Sequence, residues 1–204
     1  MDDLTNKASL DGGFDDVSTE SAGIFRAVLD AISRPGTMQN QSVSLAPPAP
    51  LLPTCAAVIL TLVDNDTPLW IAPELMGDNV SQYLKFHTGA VLVEKAADAA
   101  FAVFSAGHIP DLSQFQLGTA EYPDRSATMI IQIDGHGEAA PVSLAGPGIK
   151  HKQEFSAPGL DEAFWRKVRN NNSQFPLGLD FVFCLQQGIA ACPRSSAVMI
   201  EETI

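Results

Sequence analysis

Residues 126–133, Ser-Ala-Thr-Met-Ile-Ile-Gln-Ile, set the first constraint on this chain. Met129, Ile130 and Ile131 follow one another without alternation, and a strand apolar on both faces belongs inside a sheet covered on both sides. Other strand-like runs stand around it: Leu69-Trp70-Ile71, Val91-Leu92-Val93, Phe101 to Phe104, Leu179 to Leu185, Ile189 to Cys192 and Ser196 to Ile200. Gln41 to Leu45 alternates polar and apolar residues and reads as a short strand, and Gln186-Gln187-Gly188 is a hairpin candidate. Asp134 to Gly137 is a hairpin-type turn after which Pro141 to Leu144 resumes extended structure.

Helical patterns lie between these runs. Phe25, Val28, Leu29 and Ile32 fall at i, i+3, i+4 and i+7, so they share one face that is expected to meet the core. Ser21 is the expected N-cap, and Pro35 ends this helix because it lacks an N–H and forces Arg34 into an extended conformation. Thr54 to Val63 is apolar nearly all round, with Pro53 suited to the first turn, and stops at the turn formers Asp64 to Pro68. Asp78 is expected to cap a helix through Val80, Tyr83, Leu84 and His87, with Gly89 as its stop. Pro110 to Phe115 predicts a short helix. Asp161 to Asn172 predicts another, with Ala163, Phe164 and Val168 as the buried stripe and Arg166, Lys167 and Arg169 toward the C-terminus favoured by the dipole. Strands and helices interspersed in this way predict an α/β fold, a mixed β-sheet covered by helices.

At 204 residues the chain accommodates one domain with a sizeable core. Asp2, Asp3, Asp11, Asp15, Asp16 and Glu20 crowd the N-terminus against Lys7, so residues 1–17 are expected to form an acidic, mobile arm before a single domain over 18–204. The net charge of −12 argues against nucleic acid as a main partner, which demands clustered Lys and Arg. No apolar run is long enough to predict a membrane span, and the acidic start does not match a secretory signal, so the expected location is cytoplasmic. Cys55, Cys184 and Cys192 are odd in number and lack C-x-x-C spacing, which predicts buried free thiols.

Few residues offer chemistry. Asp64, Asn65 and Asp66 lack the spaced donors and distal Glu of a calcium loop and read as a turn. His87 fits either a general acid or base, or a structural residue at a helix end. Gly146-Pro147-Gly148 precedes Lys150, His151 and Lys152, but Pro147 removes a donor and no Gly-Lys-Ser/Thr follows, so a surface turn is favoured over a phosphate cradle. No lysine has the desolvated setting of a Schiff base, and no Gly-x-Ser-x-Gly elbow occurs. Arg34 before Pro35 and Arg194 after Pro193 sit on proline-fixed loops, where Arg suits a carboxylate or phosphonate contact, a subunit interface or a structural ion pair. Asp180 opens a buried strand, where it either bonds neighbouring N–H groups or carries function.

Several stretches carry a resemblance in order along the chain. The helix exit Phe-Arg-x-x-x-x-Ala-x-Ser-x-Pro-Gly at Phe25–Gly36 is followed by Leu60 to Trp70, Phe86-His87-Thr88 and Gly118-Thr119-Ala120 with Pro123. Leu144-Ala145-Gly146-Pro147-Gly148-Ile149, Phe175-Pro176-Leu177-Gly178-Leu179-Asp180 and Pro193-Arg194-Ser195 complete the set, with Ser195 where the pattern has Thr. Over residues 20–196 the chain resembles the PhnH family, the H subunit of the bacterial carbon–phosphorus lyase system. The resemblance implies a reduced pyridoxal-phosphate-dependent transferase fold without the cofactor, a homodimer, and assembly with the G, I and J subunits. It implies a supporting role in forming alpha-D-ribose 1-alkylphosphonate 5-triphosphate from ATP and an alkylphosphonate, with no catalytic residue or cofactor to transfer. Arg34, His87, Asp180 and Arg194 are the residues expected at a ligand site or interface. Two other readings stand beside this one: a small-anion module binding phosphonate or nucleotide, and a stand-alone pyridoxal-phosphate enzyme.

Overall fold

A computed structural model of the chain describes residues 11–200, so the first ten residues of the expected acidic arm lie outside the described residues. Helix α1 (Val17–Ser33) begins before the predicted Ser21 cap. Asp16 is its N-cap, accepting from the Thr19 N–H at 3.2 Å, while Glu20 accepts from the Asp16 N–H at 2.7 Å. These bonds satisfy N–H groups that the first turn leaves free. Hydrogen bonds from Thr19 hold the Asp16 carboxyl below the usual range.

The core face of α1 also differs from the expected one. Ile24, Ala27, Val28 and Ala31 are buried, whereas Phe25, Leu29 and Ile32 are exposed. The helix packs on α2 (Pro53–Leu62) and on strand β9 (Gly188–Cys192). Ala27 and Ala31 permit that close approach, and larger side chains at the contact would widen the spacing. Helix α2 has Pro53 in its first turn and buries every residue from Thr54 to Ile59, as its nearly all-round apolar sequence requires.

The main sheet has seven strands in the order β1-β9-β8-β5-β4-β2-β3. Besides β9 they are β1 (Gln39–Asn40), β2 (Pro68–Ile71), β3 (Val91–Leu92), β4 (Phe101–Ser105), β5 (Thr128–Gln132) and β8 (Asp180–Leu185). β3, β2, β4, β5 and β8 run parallel, and β9 is antiparallel to both β8 and β1. The apolar run at Met129–Ile131 therefore occupies the interior position its composition demands, with Ile130 between Val103 and Val182. The strand expected at Gln41–Leu45 is displaced to Gln39–Asn40.

A second sheet holds β6 (Val142–Ala145), β7 (Gln153–Phe155) and β10 (Ala197–Ile200) in the antiparallel order β10-β6-β7. Asp134–Gly137 consequently does not close a hairpin. Both edges of β5 are already paired, so the chain after it must leave for another sheet. Helix α3 (Asp78–Thr88) has Gly77 rather than Asp78 as its N-cap and ends at Gly89, whose φ of 69° a glycine adopts without strain. Helix α4 (Glu162–Asn172) is capped by Asp161, which accepts from the Phe164 N–H at 2.8 Å. Its buried side is Phe164, Trp165 and Val168, with Ala163 exposed. The helix expected at Pro110–Phe115 is only a 3-10 turn at Leu112–Gln114.

One face of the main sheet is covered by α1, α2 and α3, and the other by the second sheet and α4. On the latter face Phe155 stacks on Phe183 at 5.2 Å, with Phe164, Trp165 and Phe181 edge-on around them. Residues 11–16 lie along α3. The Gly12 carbonyl accepts from the Ala46 N–H at 3.1 Å and from the buried Tyr83 hydroxyl at 3.0 Å.

Candidate functional site

Asp180 and Arg194 are the two expected site residues that the fold brings together. Asp180 is the first residue of β8, and Arg194 follows β9, which returns antiparallel beside it. The Asp180 carboxylate accepts from the Arg194 backbone N–H at 2.8 Å and from Nε at 3.1 Å to each oxygen, and Nη2 pairs with Oδ2. Arg194 Nη1 donates to the Pro123 carbonyl at 2.6 Å. The side chains are 14% and 22% exposed, so this is a largely desolvated, bidentate pair.

A polar hub beneath holds the clasp in place. Asn171 and Asn172, at the end of α4, are buried. The Asn171 amide donates to the Leu179 carbonyl and its oxygen accepts from the Leu179 N–H, at 2.9 and 2.8 Å. Asn172 Nδ2 donates to the Ser196 carbonyl at 2.8 Å and to that of Pro193 at 3.3 Å. Gly178 has a φ of 125°, and a Cβ there would lie 3.1 Å from the Asn171 carbonyl oxygen, which is the close approach its place before the strand predicts. Its N–H donates to the Leu117 carbonyl at 2.9 Å. Together these bonds fix a shallow hollow of about 370 Å³ lined by Pro123, Phe175, Pro176, Arg194 and Ser195, beside which Phe175 stays 61% exposed.

The other two expected residues lie elsewhere. Arg34 pairs with Asp30 at 3.2 Å on the surface of α1 and reaches Gln39 at 3.5 Å. His87 sits on α3 against the Tyr83 ring at 4.6 Å and the Phe86 ring at 5.0 Å, and a Cβ on Gly13 would fall 2.4 Å from its Cε1. A larger cleft of about 440 Å³ opens past the ends of β4 and β5, lined in part by Gly107, Glu138, Asp161 and Lys167. The Asp161 carboxylate is already committed to capping α4, and two carboxylates against one lysine do not favour an anion.

Among the described residues no lysine fits a pyridoxal phosphate. Lys85, Lys95, Lys150, Lys152 and Lys167 are all exposed, whereas an imine-forming lysine needs a desolvated or cationic setting to lower its pKa. Among the described residues no group of three or more His, Cys, Asp or Glu could hold a metal ion.

The family model for bacterial phosphonate metabolism protein (PhnH) matches residues 12–199. The chain belongs to the PhnH family. It is 37% identical over 186 residues to the alpha-D-ribose 1-methylphosphonate 5-triphosphate synthase subunit PhnH of Rhizobium meliloti (strain 1021), covering 91% of this chain and 93% of that one. It is 28% identical over 177 residues to a candidate C-P lyase subunit protein, HtxG, of Stutzerimonas stutzeri, covering 87% and 85%.

The stretches that carry the family likeness meet in space at three points. At the first, a Cβ on Gly148 would lie 1.9 Å from the Ser33 carbonyl oxygen, so the Gly-Pro-Gly turn is wedged against the Arg34-Pro35-Gly36 exit of α1. At the second, the turn at Asp64–Pro68 meets the end of α3, where a Cβ on Gly89 would lie 3.2 Å from that of Asn65. The third is the Pro123, Phe175–Asp180 and Pro193–Ser195 clasp. The first two are close packings of backbone and the third is a side-chain clasp, and none assembles an acid, a base and a free cation. Sequence reasoning missed the Pro123 carbonyl and the Asn171–Asn172 hub; the run Asn170-Asn171-Asn172-Ser173 at the end of the predicted helix is the available signal.

Proposed function

We propose that this chain is an architectural subunit of the carbon–phosphorus lyase assembly. In that role it supports formation of ribose 1-alkylphosphonate 5-triphosphate in phosphonate breakdown and carries no reaction centre of its own. The observation that supports this most is the Asp180–Arg194 pair. It is the only place where two of the four expected site residues meet, and Nε, Nη1 and Nη2 of Arg194 are all committed to Asp180 and Pro123. A charge pair engaged through all three guanidinium nitrogens in this way organises loops instead of exchanging protons or binding a phosphonate.

The same reading takes the fold as a reduced pyridoxal-phosphate-transferase core. Counting the seven strands of the main sheet along the chain gives the order 3-2-4-5-6-7-1, with the seventh antiparallel to its neighbours, and the exposed lysines fit the loss of the cofactor. The chain acts as a homodimer with the G, I and J subunits in the cytoplasm. Among the described residues no helix is long and apolar enough to cross a membrane.

The test is a tagged pull-down of the full chain from its host under phosphate starvation, with co-purifying chains identified by mass. Recovery of the other lyase subunits in fixed ratio is expected. Recovery of the chain free of them would rule out a subunit role.

A further inference from the structure

Three segments without a carboxylate meet at the exit of α1. No Asp or Glu stands between Asp30 and Asp64, between Glu138 and Glu154, or between Asp180 and Glu201. The Gly36 N–H donates to the Ala191 carbonyl at 2.9 Å. A Cβ on Gly148 would abut the Ser33 carbonyl and lie 3.2 Å from Pro35 Cδ, and one on Gly36 would lie 2.9 Å from Gln153 Cγ. Both ends of the loop at 149–152 are therefore held against residues 33–36. Lys150 is two residues from Gly148 and Lys152 is next to Gln153, so their Cα atoms lie within about 7 Å and about 4 Å of those anchors. Arg34, Lys150, His151 and Lys152 thus share one small area of surface, and all four are exposed.

The donors of this ledge are unengaged. Lys150, His151 and Lys152 make no ion pair or side-chain hydrogen bond among the described residues. Arg34 meets Asp30 and Gln39 through Nη2 alone, which leaves Nε and Nη1 without a partner among them. The backbone N–H groups of Gly148, Lys150 and His151 likewise donate to no acceptor among the described residues. The Ile149 N–H closes the turn on the Gly146 carbonyl at 3.1 Å, and the Ile149 side chain packs against the core. The loop is thus anchored before any ligand arrives, which lowers the ordering cost of binding. Asp30, already paired with Arg34, and Glu154 stand at the margins and limit the width of the patch.

We propose that this ledge binds an oligophosphate group, a di- or triphosphate held through its chain of oxygens. The site stands on these residues, and rests on the subunit reading above only for a source of the group, the 5-triphosphate of that reaction. Three fixed cations and a histidine within one loop's reach match a ligand that packs several negative charges into a short length. Lysine meets phosphate as a point charge and arginine through its planar fork, while free backbone N–H groups of a glycine turn are anion donors. An acidic protein segment spaces its carboxylates along the chain and would run past the patch onto Asp30 and Glu154. A long nucleic acid would meet the net charge of −12. A compact ligand escapes most of that field, because the screening length is about 10 Å at 0.1 M salt.

Calorimetric titration of the full chain with inorganic triphosphate at 0.1 M salt, free of divalent cations, tests this. Saturable binding is expected, and Lys150→Gln with Lys152→Gln should weaken it by about tenfold without moving the melting temperature of the free chain. Lys85→Gln with Lys95→Gln removes the same charge from other surfaces and should change the affinity by less than about twofold. ATP binding at least as tightly as triphosphate, with adenosine silent, makes the ligand a nucleotide. ATP binding more weakly makes it a free inorganic oligophosphate, and either result sustains the site. Absence of saturable binding, an equal loss in the Lys85 and Lys95 control, or tighter binding of an oligoglutamate peptide than of triphosphate overturns the proposal. If triphosphate fails to bind a chain that still co-purifies with the other lyase subunits, the ledge falls and the proposed function stands. Specific binding by a chain that purifies alone has the opposite meaning.

Discussion

Arg194 shows what a guanidinium engaged through all three nitrogens does. Its Nε and Nη2 lock Asp180 at the head of β8, and its Nη1 pins the Pro123 loop, so three chain segments share one side chain. Arg194→Lys keeps the charge and loses both the bidentate pairing and the Pro123 bond. It should destabilise the fold by about 2 kcal/mol in urea unfolding. Asp180→Ala leaves a largely buried guanidinium without its carboxylate and should cost about 3 kcal/mol. An unchanged unfolding midpoint in both would show that the pair is not a structural clasp. The cysteines behave as their count and spacing predict: Cys55, Cys184 and Cys192 are free and buried. Burial pushes the Cys192 thiol up to about 12 and the Cys184 thiol well above its ordinary value. A thiol-specific disulfide reagent at mildly alkaline pH should therefore find no fast-reacting cysteine in the native chain and all three after unfolding. Rapid native reaction of even one would contradict this packing.

Elements succeed or fail here by what they pack against. Gly23 and Gly148 make the contrast. A Cβ on Gly23, inside α1, meets nothing within 4 Å, so Gly23→Ala should raise stability by about 0.5–1 kcal/mol through helix propensity alone. A Cβ on Gly148, at a φ of 81°, would overlap the Ser33 carbonyl. Gly148→Ala should cost about 2 kcal/mol or more and loosen the exit of α1, and paired melting curves check both signs. The segment at 11–16 depends on the Tyr83 hydroxyl bonded to the Gly12 carbonyl. Tyr83→Phe should cost about 1 kcal/mol and speed protease cleavage there. Burial raises the Tyr83 phenol to about 12. The bond is therefore fully present below the unfolded value of about 10 and is lost as pH climbs toward the folded one, so cleavage should quicken only in that alkaline window. The sequence made β5, α2, α3 and the β8–β9 hairpin legible because each has a periodicity that a single environment explains. It hid the face of α1, whose two apolar stripes overlap in one pattern, and it hid β7 and the second sheet, because pairing between distant segments leaves no local mark. Trp165 was lost to the stripe for a related reason, since α4 is wrapped by aromatics on more than one side. At the site, proline-fixed Arg194, the strand-opening Asp180 and the β8–β9 hairpin were visible singly, but their pairing depends on the register of the two strands, which no local pattern specifies.

At the scale of the whole molecule, two apolar clusters share one sheet, and the chain carries a net charge of −12. Two copies meeting in the proposed homodimer must bring like charges together. Opposing this is the apolar area that the contact buries, which is insensitive to moderate salt. The repulsion acts between all charges on both copies over a screening length that falls from about 30 Å at 0.01 M to about 8 Å at 0.15 M salt. Self-association should accordingly tighten several-fold between those ionic strengths, then level off once repulsion is screened and the apolar contact alone decides the affinity. Sedimentation across a salt series measures this directly. Monotonic weakening with salt would mean that opposite charges, and not buried apolar area, hold the copies together.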